Sequence, residues 1–139
     1  RGMKIAVMGT GAMGGYMGAR LAEAGAQVTF IARGGHLAAI RANGLKVTSP
    51  QGEVHINPAM ATDDPGDVGE VGLILLGVKL YDVETAVTEL LPMLGAETGI
   101  VSLQNGIDAP AMITRIAGVA HCIPGVALLN GEIAAPGVI

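Results

Sequence analysis

A chain of 139 residues, half of them apolar, is about one domain long and carries enough apolar side chains for a buried core. A formal charge of −4, one phenylalanine and two tyrosines provide neither a basic footprint for phosphate backbones nor a base-stacking platform, so a nucleic-acid partner is not expected. The lone Cys122 excludes an intrachain disulfide and a cysteine metal cluster, and fits a reducing cytoplasm.

Arg1 and Gly2 precede a candidate initiator, Met3, and read as an expression remnant, which leaves residues 3–139 as one domain. The apolar stretch from Ile5 to Ala19 is interrupted by five glycines, unlike the unbroken core of a signal peptide. No run approaches the roughly 20 apolar residues that span a bilayer, so no membrane partner is expected either. With 22 glycines and few aromatics, the core must be built from Ala, Val, Ile, Leu and Met, as in sheets covered by helices.

In chain order, Lys4 to Met8 predicts a short buried strand, Ala12 to Ala24 a helix and Gln27 to Ala32 a second strand, which together have the length of a βαβ unit. His36 to Asn43 reads as a short helix closed by Asn43-Gly44. Leu45 to Ile56 reads as a hairpin turned at Pro50-Gln51-Gly52. Asp63, Asp64 and Asp67 read as a solvated loop. Val71 to Val78 has the continuous apolar character of a central parallel strand. A helix from Val83 to Leu91 stopped by Pro92, a buried strand from Gly99 to Leu103, a helix from Asp108 to Ile116 with Pro110 in its first turn and a strand from His121 to Leu128 complete the pattern. Such alternation implies an α/β fold of the Rossmann type: a doubly wound, mostly parallel sheet with helices on both faces. The chain stops at Ile139, just after Pro136-Gly137, in what reads as a strand, so a fragment is expected.

Gly9-Thr10-Gly11-Ala12-Met13-Gly14 lies between the first strand and the first helix, the setting in which G-x-G-x-x-G has physical content. Gly9 allows the tight turn, Gly11 lets backbone approach a pyrophosphate, and Gly14 lets helix lie on strand. The helix N-terminus adds unpaired N–H groups and partial positive charge. Gly18, one turn further on, is expected to serve packing. A site for NAD usually has an acid after the second strand; here none occurs between Glu23 and Glu53, and Arg33 followed by Gly34-Gly35 occupies the place. A guanidinium and unhindered amides suit a 2'-phosphate, so NADP is preferred, the plainer alternative being a solvated strand-end arginine.

Lys79 and Gln104-Asn105-Gly106 follow the fourth and fifth buried strands and should emerge at the same crevice. A solvated lysine and an ordinary Asn-Gly turn account for them equally well. His36, His55 and His121 have no metal-ligand spacing, and no metal is expected.

Lys4 to Gly14, Ala32-Arg33, Val78-Lys79 and Leu103-Gln104-Asn105-Gly106, taken together and continued through Gly125-Val126 and Pro136-Gly137, resemble the ketopantoate reductase (2-dehydropantoate 2-reductase) family over the whole length. That resemblance implies NADPH-dependent reduction of a small 2-oxo acid, 2-dehydropantoate, to pantoate in pantothenate and coenzyme A biosynthesis. It implies that Gly9, Thr10, Gly11, Ala12, Met13 and Gly14 hold the pyrophosphate, Arg33 the 2'-phosphate, and Lys79 the cofactor near its nicotinamide. Asn105 would contact cofactor and substrate, and Gly131 would make a backbone contact where the family usually has Ala. The family's general-acid lysine and substrate-binding glutamate belong to a C-terminal helical domain beyond Ile139, so no catalytic residue is assigned within the chain and the fragment is expected to be inactive. Other dehydrogenases of 2-oxo, 3-hydroxy acid or glycerol-phosphate type, or a non-catalytic NADP sensor, would share the fold. Homo-oligomerisation is left open.

Overall fold

A computed structural model describes residues 4–9, 12–49, 52–78, 82–103, 108–118 and 122–123. Its strands are β1 (Lys4–Met8), β2 (Gln27–Ile31), β3 (Leu45–Ser49), β4 (Gly52–Ile56), β5 (Met60–Thr62), β6 (Val71–Leu76), β7 (Leu94–Ser102) and β8 (Cys122–Ile123). Its α-helices are α1 (Ala12–Glu23), α2 (Gly34–Asn43), α3 (Val83–Leu90) and α4 (Asp108–Ala117). Six strands form a sheet in the order β5-β2-β1-β6-β7-β8, and every pairing in it is parallel. The sheet is therefore wound in two directions from β1, with the switch point between β1 and β6. Strands β3 and β4 pair antiparallel as a separate hairpin, with Ser49 opposite Gly52.

The alternation of side chains along β1 explains why this strand is apolar at every buried position. Ile5 and Val7 face a cluster with Val28, Phe30, Leu37, Ile40, Leu45 and Val54, which the hairpin, α1 and α2 close. Ala6 and Met8 face the opposite cluster with Ile74, Leu76, Val83, Val87, Leu90 and Ile113, under α3 and α4. A strand buried on both faces has no solvent side to mark with polar residues. On α3 the buried residues Val83, Ala86, Val87 and Leu90 repeat at helical spacing and leave Glu84, Thr85, Thr88 and Glu89 outward.

Several boundaries differ from the sequence expectation, for physical reasons. Helix α2 begins at Gly34 instead of His36, because Arg33 is its N-cap, with extended backbone and no capping side-chain bond. It ends as expected at Asn43, and the N–H of Gly44 donates to the carbonyl of Ile40 at 2.8 Å. Helix α3 ends at Leu90, and Pro92 sits in a following 3-10 turn, Leu91–Met93. Strand β6 ends at Leu76, two residues before Val78. Strand β7 starts five residues before Gly99; the buried hydroxyl of Thr98 donates to the carbonyl of Val71 at 2.5 Å and accepts from the N–H of Gly95 at 2.8 Å, where the β6–β7 register shifts. Such stitching leaves no period in the sequence.

Strand β5 was absent from the sequence reading. It is three residues long, pairs with the edge of β2, and is held by Arg41, whose Nε donates to the carbonyl of Ala61 at 3.1 Å. The acidic segment after it is more ordered than a solvated loop. Pro65–Asp67 is a 3-10 turn whose N-cap, Asp64, accepts the N–H of Gly66 at 2.9 Å, and Asp67 accepts the hydroxyl of Thr62 at 3.3 Å. The hairpin turn at Pro50-Gln51 and the continuation of β8 toward Leu128 lie outside the described residues. Among the described residues no helix is long and apolar enough to cross a membrane.

Candidate functional site

Parallel register fixes which residues share the carboxyl edge of the sheet. Met8 is opposite Ile31 on one side and Leu76 on the other, Ile31 is opposite Thr62, and Leu76 is opposite Ser102. Backbone bonds continue this alignment past the strands: Gly77 N–H to Met8 carbonyl at 2.9 Å, Leu103 N–H to Leu76 carbonyl at 2.9 Å and Ala32 N–H to Thr62 carbonyl at 3.0 Å. The segments that follow β1, β2, β5, β6 and β7 thus leave one edge together, where open parallel sheets bind ligands.

At Gly9 and Gly14, which flank the turn after β1, there is no room for a side chain. Gly9 has φ of +92°, and a Cβ there would lie 2.6 Å from Val78 Cγ1 and 2.8 Å from the Val78 nitrogen. A Cβ on Gly14 would run into the carbonyl oxygen of Gly9 and come within 3.0 Å of Val7 Cγ1. Both glycines are needed to bring the start of α1 against the ends of β1 and β6. On Gly18 a Cβ would meet Val7 Cγ2 at 2.6 Å and Phe30 Cε1 at 2.7 Å, which makes it a packing residue. The first turn of α1 contains no acidic residue, so its free N–H groups and positive helix end are not neutralised locally and suit an anion.

Between this turn and the end of β2 lies a cleft of about 370 Å³, lined by Gly9, Ala32, Arg33, Val78, Thr85 and Ala86 among others. Arg33 stands at its rim with 73% of its side chain exposed, and Gly34 and Gly35 form the first turn of α2, which also lacks an acid. Gly9 brings backbone to one side of this cleft, Arg33 brings a cation beside two unhindered amides to the other, and Asp82 at the start of α3 also lines it; backbone amides and a guanidinium are groups that the phosphates of a dinucleotide can use.

One neighbour of Arg33 was missed. The sequence window around β2 holds no acid, but Glu89 of α3 reaches it from 56 positions away, and Arg33 Nη2 donates to Glu89 Oε1 at 2.9 Å. No local signal could have revealed this pair. Asp63, Asp64 and Glu89 share with Arg33 a second cleft of about 470 Å³.

Of the site residues expected from sequence, the structure thus brings Gly9, Gly14 and Arg33 to one edge, with the backbone of Ala12 and Met13 opening α1. Thr10, Gly11, Lys79, Asn105 and Gly131 lie outside the described residues, although Val78 and Leu103, which precede the segments of Lys79 and Asn105, sit at that edge.

Known proteins share this sequence pattern and this fold. The family model described as ketopantoate reductase PanE/ApbA matches residues 5–139. A 2-dehydropantoate 2-reductase of Mesorhizobium japonicum is 39% identical over 106 residues, which are 76% of this chain and 32% of that protein. The crystal structure of 2-dehydropantoate 2-reductase from Porphyromonas gingivalis W83 superposes with a TM-score of 0.89 at 39% identity, covering 99% of this chain and 50% of that one. A D-mandelate dehydrogenase, in a ternary structure with NADH and anilino(oxo)acetate, superposes with a TM-score of 0.87 at 26% identity, covering 98% of this chain and 44% of that one. The chain therefore spans between a third and a half of the length of these proteins. With a family model matched from β1 to the last residue and a sheet wound as in these reductases, the chain belongs to the ketopantoate reductase PanE/ApbA family.

Proposed function

We propose that residues 3–139 are the NADP-binding domain of a cytoplasmic, NADPH-dependent 2-dehydropantoate reductase, which makes pantoate for pantothenate and coenzyme A biosynthesis. The observation that carries this reading is Arg33, placed at the end of β2 on the rim of the cleft that Gly9 also lines. Family membership and a structural neighbour solved with NADH support a nicotinamide cofactor and an oxidoreductase working between a carbonyl and an alcohol.

When bound, the cofactor supplies the hydride for the keto carbon of the substrate. Gly9 to Gly14 and the start of α1 bind the pyrophosphate, and Arg33 binds the 2'-phosphate through charge-assisted hydrogen bonds. Lys79 steadies the nicotinamide half, Asn105 touches cofactor and substrate, and Gly131 offers backbone. By the family resemblance the proton for the carbonyl oxygen is the task of a lysine in a C-terminal helical domain, and a positioned acid typically contributes about 10²- to 10⁴-fold. This chain spans a third to a half of its relatives' length, so cofactor binding with little turnover is expected of it alone.

The test is oxidation of NADPH on addition of 2-dehydropantoate, measured for this chain and for this chain joined to a family C-terminal domain. Turnover by the joined protein alone is the expected result; rapid turnover by the 139-residue chain, or none by either, contradicts it. A second reading, an NAD-linked reductase of another 2-oxo acid, is favoured by the carboxylate of Glu89 at Arg33 and by the likeness to D-mandelate dehydrogenase. Oxidation of NADH by phenylglyoxylate in the joined protein, with no response to 2-dehydropantoate, would establish it.

A further inference from the structure

We infer that Glu89 is a specificity-determining residue of the dinucleotide site: its carboxylate, carried beside Arg33 by α3, works against a 2'-phosphate and narrows the preference for NADP over NAD. The inference rests on the proposed reading of Arg33 as the group that meets the adenine ribose.

Arg33 and Glu89 form an ion pair with side chains 73% and 40% exposed. A pair this open is weak, because both groups remain hydrated and both side chains are ordered by it. An incoming phosphate can therefore take the guanidinium at little cost. The charge of Glu89 cannot be removed in the same way. Val83, Ala86, Val87 and Leu90 are all buried, so the rotation of α3 is fixed by the core and Glu89 can withdraw only by the length of its own side chain. Asp64 lines, with Arg33 and Glu89, the second cleft and adds negative charge there, its carboxylate accepting the N–H of Gly66.

A phosphate dianion that bonds the same guanidinium meets the carboxylate held there at 2.9 Å, and Coulomb repulsion between them in water, reduced by salt screening, amounts to about three- to tenfold in affinity. The 2'-hydroxyl of NAD meets no such repulsion. It can donate a hydrogen bond to a carboxylate, the role that an acid at the end of the second strand has in NAD-binding sheets. In this chain the strand end supplies the cation, and the acid comes from a helix on the other side of the cleft. The site thus presents a partner for each form of the ribose.

The experiment is calorimetric titration of the 139-residue chain with NADP+ and with NAD+, for the unmodified protein, for Glu89→Gln and for Glu84→Gln. Glu84 is on the same helix but pairs with Arg115 of α4, so it controls for loss of one negative charge. Glu89→Gln is expected to tighten NADP+ by about three- to tenfold and to leave NAD+ unchanged or weaker, while Glu84→Gln leaves the ratio within about twofold. An NADP+ to NAD+ ratio in Glu89→Gln within about twofold of the unmodified protein overturns the role of Glu89 and leaves the proposed function standing. The same ratio change in both variants also overturns it. Failure of the unmodified chain to bind either nucleotide removes the proposed cofactor site, and the role of Glu89 with it.

Discussion

The turns that follow β1 and β2 leave the same edge of the same sheet, yet they are built in opposite ways. The first is stripped: Gly9 and Gly14 leave no space for a side chain, and the helix it opens has no acid in its first turn. The second is crowded with charge, Arg33 being paired with Glu89 and sharing a cleft with Asp63 and Asp64. Under the proposed function, backbone at the first turn would serve any pyrophosphate, whereas the charged rim would discriminate between ligands that differ in one phosphate. Changes in the first turn should therefore affect both dinucleotides alike, and changes in the second should separate them.

The largest effect is expected from Gly9→Ala. The backbone has φ of +92°, and the new Cβ meets the backbone of Val78 and Gly77 as well as a movable side chain, so the strain cannot relax locally and costs roughly 3 kcal/mol. Chemical denaturation should show that loss, and titration should show NADP+ and NAD+ weakened together. Retention of either one alone would break the comparison.

Next in size is Arg33→Ala. Hydrogen bonds to a charged group contribute about 1.5–3 kcal/mol, so NADP+ binding should weaken by roughly ten- to a hundredfold while NAD+ binding and thermal stability stay close to those of the unmodified protein. Equal losses for both nucleotides would reduce Arg33 to a solvated strand-end arginine.

The third effect is that of salt. Raising ionic strength from about 0.05 to about 0.5 M shortens the Debye length severalfold, so NADP+ binding should fall by about threefold and NAD+ binding should barely change. The smallest effect is expected from Arg115→Gln, which breaks the pair with Glu84 between α3 and α4; side chains 62% and 60% exposed imply a loss under about 0.5 kcal/mol in a thermal melt.

The same contrast decides what could be read from sequence. The turn after β1 is a local device, in which strand, glycine spacing and helix lie within twenty consecutive residues, and the close approaches expected at Gly9, Gly14 and Gly18 are present. The apolar run of β6 and the helical spacing of Val83, Ala86, Val87 and Leu90 were legible for the same reason. The rim after β2 is assembled across the fold. Arg33 could be seen, but Glu89 depends on the rotation of α3 over the sheet, a tertiary quantity with no trace within the β2 window. Strand β5 is three residues on a sheet edge, too short for a period, and the turn at Pro65 looks from composition like any acidic loop. Only its bonds, Asp64 to Gly66 and Asp67 to Thr62, distinguish it.

The most direct test of the central claim, that this chain holds NADP at the carboxyl edge of its sheet, is a titration of the unmodified 139-residue protein with NADP+ and NAD+ under one buffer condition. One nucleotide per chain is expected, with NADP+ bound more tightly; tighter binding of NAD+, or no binding of either, would contradict the claim.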